Sequence, residues 1–173
     1  MSFYTLPPVP QCCQQQVFNP YCKPPPRDNN ESAKVSRTSS QVVQQDTPTV
    51  LAFDNVVYDT DRIFDPSTPS TFFIRRDGFY FAGASLDWAP SGLSDPRKIS
   101  ILLDGTPMAS ISENSLATLD TLMTISTSGY FQRGQRVQLQ VTQNSSSNLS
   151  VVTTGGAPTF WIQSVNLTGN NRS

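Results

Sequence analysis

From Pro48 onward the chain repeats one pattern, short apolar runs that alternate with polar residues and are parted by turn-forming dipeptides. Val137, Leu139 and Val141 alternate with Gln138, Gln140 and Thr142, and successive strand side chains face opposite ways, so a period of two marks a half-buried strand. Val50, Ala52, Val56 and Tyr58 predict an opening strand. Phe72-Phe73-Ile74 runs into Asp77-Gly78, a two-residue turn signal, and Phe79, Phe81, Ala84, Leu86 and Trp88 follow as a long strand. Ile99, Ile101 and Leu103 lead to Asp104-Gly105 and predict a hairpin whose return strand spans 107–112. Residues 121–126, the Gly129-Tyr130-Phe131 run before a turn at Arg133-Gly134, and Phe160, Ile162, Val165 and Leu167 supply the rest. Eight to ten short strands without a convincing helix predict an all-β antiparallel sandwich or jelly roll.

Before that point the composition differs. Residues 1–46 hold Pro7, Pro8, Pro10, Pro20, Pro24, Pro25 and Pro26, the run Gln14-Gln15-Gln16, and all three cysteines. Proline fixes φ and removes amide donors, so this stretch predicts an extended arm. The division is therefore an arm over 1–46 and a β-head over 47–173, the head large enough to close a core without disulfides. Phe3, Tyr4, Phe18 and Tyr21 are too sparse for a core of their own and are the arm's candidate anchors on a partner surface; the alternative is a tail that only solvates. Cys12, Cys13 and Cys22 make a poor zinc site without histidine and stand as free thiols or interchain disulfides.

The chain has no histidine, which removes Ser-His-Asp triads, Cys-His dyads and histidine metal sites. Glycosidase chemistry needs only two carboxylates about 5 to 9 Å apart, so pairs from Asp59, Asp61, Asp65 and Asp87 keep a hydrolase as a rival to the non-enzymatic reading. A net charge of −1 gives no basic face for nucleic acid. The N-terminal residues lack a basic and then apolar secretory pattern, and no run approaches the ~20 apolar residues of a bilayer span. These features predict a protein made in the cytosol and placed on a surface by assembly, without membrane insertion and without a cofactor. Asn30, Asn144, Asn148, Asn166 and Asn171 begin glycosylation sequons of the kind that a Ser-, Thr- and Asn-rich chain produces by composition, and they receive no role.

The order of several segments resembles the globular head of the C1q and tumour-necrosis-factor superfamily. These are Tyr58-Asp59, Phe64-Asp65-Pro66 and Phe72, then Asp77-Gly78-Phe79-Tyr80-Phe81, Ile101-Leu102-Leu103-Asp104-Gly105, the strand from Gly134 to Val141, and Phe160-Trp161-Ile162 at the close. The resemblance covers about residues 48–168; Gln135 stands where the family commonly has an acid, and Ile162 where its closing glycine is expected. It implies a ten-stranded jelly roll assembling as a homotrimer, with binding on loops or between subunits. It also implies Phe79, Phe81, Tyr130 or Phe160 along the threefold axis, each of which has an interior position in its own subunit as the alternative. Calcium in some relatives makes Asp59, Asp61 and Asp65 weak ligand candidates, against a solvated acidic loop. Arg75-Arg76 is an anion candidate that works against its own spacing, since neighbouring strand residues face opposite ways.

Together these features predict a non-enzymatic trimer on a particle surface, most readily a bacteriophage capsid-decoration or head-fibre protein on a virion, its arm held by a capsid protein. The alternatives are a spore or cell surface, and an adhesion head whose loops, such as residues 89–92 and 143–150, recognise a glycan or protein.

Overall fold

The structure, a computed structural model, describes residues 30–165, which form twelve strands, numbered in chain order, and no helix. One sheet contains β1 (Ser32–Ser36), β2 (Gln41–Val43), β4 (Asn55–Asp59), β6 (Gly78–Trp88), β9 (Thr121–Phe131), β11 (Leu149–Val152) and β12 (Thr159–Val165). β6 is its spine, pairing with β9 along one edge and with β12 and then β11 along the other. β1 lies between β12 and β4, and β2 flanks β11. The second sheet is β8 (Thr106–Asn114), β7 (Pro96–Leu103) and β10 (Arg136–Gln143), with β3 (Thr49–Val50) and β5 (Phe72–Phe73) both on the far edge of β10.

The alternation read from the sequence sets the inner faces. Val137, Leu139 and Val141 of β10 are fully buried, as are Ile99 and Ile101 of β7. From the other sheet come Tyr80, Ala82, Ala84, Leu86 and Trp88 of β6, with Ala33 and Val35 of β1. Phe160 lies at the centre, with ring centroids 4.7 Å from Phe72 and 5.8 Å from Phe53. The expected hairpin forms between β7 and β8, where Asp104 and Gly105 both take positive φ (49° and 82°), as two-residue turns matched to strand twist require.

Three expectations are corrected. The sandwich begins before residue 47, because β1 and β2 are strands of the first sheet and Glu31, Ala33, Val35 and Val43 are buried in it. Asp77-Gly78 does not close a hairpin: it carries the chain from β5 in one sheet to β6 in the other, with Asp77 accepting the Arg133 N–H at 2.7 Å. Phe160 cannot line an intersubunit axis, being 1% exposed and packed on Phe72 inside its own sandwich. The outward aromatic on that strand is its neighbour Trp161, since adjacent residues face opposite ways.

Candidate functional site

The outer face of the first sheet is where this chain departs from a solvated surface. Phe79 and Phe81 of β6 have the opposite parity to the buried Tyr80 and Ala82, so both rings stand outside. Tyr130 on β9 is directly opposite Phe79, with the rings edge to face at 5.4 Å, and Val165 on β12 faces Phe79 from the other side. Phe79, Phe81 and Tyr130 are 47% to 54% exposed. Further along, Trp161 lies across Gly83, its cross-strand partner, so closely that a Cβ there would meet the indole at 2.5 Å. Lys34 and then Tyr58 continue that row across β1 and β4. The face thus carries a belt of aromatic rings.

At the belt end of the sandwich the described chain begins. Glu31 is wholly buried, and its carboxylate accepts from the Tyr80 hydroxyl at 2.5 Å and the Arg75 N–H at 3.2 Å. Arg76 stands 3.7 Å from the same carboxylate and pairs with Asp61 at 2.9 Å. Burial and the bond to Glu31 push the Tyr80 hydroxyl far above its usual value, so it remains a donor. Glu31 N–H and C=O both bond to Ser164 on β12, which ties the root of the arm to the last strand.

The acidic candidates are used by the fold. Asp59 accepts backbone N–H bonds from Asp61, Ile63 and Phe64, and so shapes the loop after β4. Asp65 caps its own turn through Ser67, whose backbone and hydroxyl bonds hold the Asp65 carboxyl below its ordinary value. Among the described residues, no three carboxylates gather as a metal site would need. Arg75 and Arg76 also part, Arg75 turning to the Arg62 carbonyl and Arg76 to Asp61 and Glu31. Phe3, Tyr4, Phe18, Tyr21, Cys12, Cys13 and Cys22 lie outside the described residues.

Asp87 lies eight residues along β6 from Phe79, about 26 Å at ~3.3 Å per residue, so it cannot pair with Asp59, Asp61 or Asp65 at the other end. It is more than nine-tenths buried and accepts no hydrogen bond from any described residue, and Gly155 packs so tightly on its carboxylate that any side chain there would collide with it. Burial and then the charge of Asp120 push its carboxyl above the ordinary carboxylate range. A carboxyl whose folded value is raised destabilises the fold once it ionises, so the cost is absent below the unfolded value and grows as pH rises through the folded one. Asp87→Asn is therefore expected to raise Tm at pH 7, with the gain closing towards pH 3. Melting curves at the two pH values check this, and no gain at pH 7 would show that Asp87 has a partner.

No family model matches the chain, and no curated protein matches it significantly in sequence. Among solved structures, a crystal structure of murine APRIL at pH 5.0 is similar over 79% of this chain and 99% of that one, with a TM-score of 0.58 at 7% identity. The fold is an all-β antiparallel jelly-roll sandwich like that of APRIL. At that identity the likeness concerns architecture, and the surface chemistry has to be read from this chain's own residues. Sequence reading reached Phe79, Phe81 and Tyr130 through the family resemblance but passed over Trp161 and Gly83. Strict parity from Phe160 was the signal available for Trp161, whereas its pairing with Gly83 exists only in the register of β6 with β12.

Proposed function

We propose that this chain is a non-enzymatic homotrimeric head, closed through the outer face of its first sheet and carried by the Pro-rich arm. The observation that carries the reading is the exposed belt of Phe79, Phe81 and Tyr130 beside the flat Trp161. Burying one such ring is worth about 1.5–3 kcal/mol, and a contiguous apolar patch of this kind usually marks an association surface. A sheet face meeting the edge of a neighbouring copy is a head-to-tail contact, which closes as a ring when the rotation allows. The C1q/TNF-like fold supports three as the number of copies.

Mass measurement by light scattering tests the proposal. The full chain is expected to have the mass of three copies, and the triple variant Phe79→Ser, Phe81→Ser, Tyr130→Ser to run as a folded monomer, since none of these rings contributes to the interior. A monomeric wild type at micromolar concentration would end the proposal, as would a triple variant that stays trimeric.

The particle-surface setting, with a virion ahead of a spore or cell surface, rests on the arm. Three tethers on one trimer act at a high effective concentration, so weak anchors suffice together. Cryo-electron microscopy of the native assembly decides this part, with residues 1–29 ordered against another protein as the supporting outcome and arms free in solvent as the opposing one.

A further inference from the structure

Opposite the root of the arm three loops meet: residues 89–95 between β6 and β7, 115–120 between β8 and β9, and 153–158 between β11 and β12. Hydrogen bonds join them, from Gly92 N–H to the Ala117 carbonyl at 2.8 Å, Ser115 hydroxyl to the Leu93 carbonyl at 3.0 Å, and Thr154 hydroxyl to Asp120 at 2.7 Å. This connected surface carries Leu93, Leu116, Leu119 and, at the start of β9, Leu122, all 53% to 63% exposed. Loop tips are ordinarily polar, and three exposed leucines on loops tied to one another, with a fourth at the start of β9, have no partner within the described chain.

A second, independent observation lies in the same place. Asp87 is directly across the sheet from Leu122, on the same outer face, with Val152 on its other side. Its carboxylate lies beneath Gly155 and accepts no hydrogen bond from the described residues, although Ser and Thr are abundant in the surrounding loops. Asp120 adds a second negative charge nearby. The buried Arg97 does not answer Asp87: it turns to the ring of Trp88 and to Ser91, and the carboxylates that act on it are Asp95 and Asp120. A carboxylate with no donor in its own described chain, beside a second negative charge, is free to accept from a cation brought from outside.

We propose that this loop end docks a protein partner through an apolar segment that carries a lysine or arginine, the leucines receiving its apolar side chains and Asp87 with Asp120 its cation. Other occupants fit less well. A sugar would find no open ring to stack on, since Trp88 is wholly buried. A divalent metal would find only two carboxylates, and an anionic membrane would be repelled by both. The site is about 26 Å along β6 from Phe79, so it is independent of the contact that would close the trimer.

Fluorescence anisotropy of the full chain with labelled twelve-residue peptides tests this, using leucine alternating with lysine, with serine or with glutamate. Saturable binding is expected for the lysine peptide, at least tenfold weaker binding for the serine peptide, and none for the glutamate peptide. Asp87→Asn and the pair Leu119→Ser, Leu122→Ser should each weaken the lysine peptide at least tenfold, with no fall in Tm and no change in oligomer mass. No saturable binding by the lysine peptide, equal binding of lysine and glutamate peptides, or indifference to either substitution overturns the proposal. So does a loss of oligomer mass in the leucine variant, which would assign the surface to a second copy. A calcium-dependent rise in Tm that Asp87→Asn abolishes would assign it to a metal and overturn it equally.

Discussion

A chain beginning at Thr47 is expected to show no cooperative unfolding transition, whereas one beginning at Asn30 should melt like the full protein. β1 is the penultimate strand of the first sheet, and its removal opens an edge of β12 and leaves β4 without a strand to pair with. Ala33, Val35 and Val43, all fully buried, leave with it; at about 1.5–3 kcal/mol for each valine, the lost burial alone comes to roughly 3–6 kcal/mol. Glu31 goes as well, and the Tyr80 hydroxyl then loses a bond to a charged acceptor, roughly 1.5–3 kcal/mol at most, since it keeps the Arg76 carbonyl as a partner. A domain of this size has about 5–15 kcal/mol in total, so the truncated chain has little left to hold it. Thermal denaturation followed by near-ultraviolet circular dichroism distinguishes the two chains. A Thr47 chain that melts sharply within a few degrees of the Asn30 chain would mean that β1 is dispensable.

The reason β1 was illegible in the sequence is physical. Ser-Ala-Lys-Val-Ser offers two small apolar residues in a polar run, and the residue before it that is most buried is a glutamate. Composition places such a stretch with the arm, because its burial depends on strands more than 100 residues away, Ser164 above all. β10 was legible because its alternation is strict and every apolar residue on it faces inward. β6 lies between these cases. Its extent follows from the apolar run, but both faces of its first half carry aromatic rings, and only the parity of Tyr80 with Ala82, Ala84, Leu86 and Trp88 shows which ring is inside. The jelly-roll class could therefore be read from periodicity and segment order. Of the candidate surfaces, the belt was reached in part through Phe79, Phe81 and Tyr130. The loop end was not, because the pairing of Asp87 with Leu122 exists only in the register of β6 with β9.

That register argument is sharpest on β10, where adjacent residues should respond in opposite ways to the same new charge. Leu139 is fully buried, faces Ile101 across β7 and belongs to the central cluster with Val137 and Val141. Leu139→Asp removes a leucine at a cost of about 2–5 kcal/mol and adds a carboxylate to an interior whose buried cation, Arg97, stands four residues along β7 from the facing Ile101 and out of its reach. Such a charge costs several kcal/mol more even when it takes up a proton, so the sum reaches most or all of the ~5–15 kcal/mol available. Gln138, one residue earlier, points outward and makes a single side-chain bond, from Nε2 to the Thr71 hydroxyl at 3.0 Å. Gln138→Asp should therefore lose roughly 0.5–1.5 kcal/mol, a fall in Tm of a few degrees. Leu139→Asp is expected to give insoluble protein or no transition at all, with Leu139→Ala as a milder variant whose loss of ~2–5 kcal/mol can be measured by urea denaturation. Equal stability of the two aspartate variants would mean that the inner and outer faces of β10 are exchanged, and with them the assignment of every residue that β7 and β10 bring to the core.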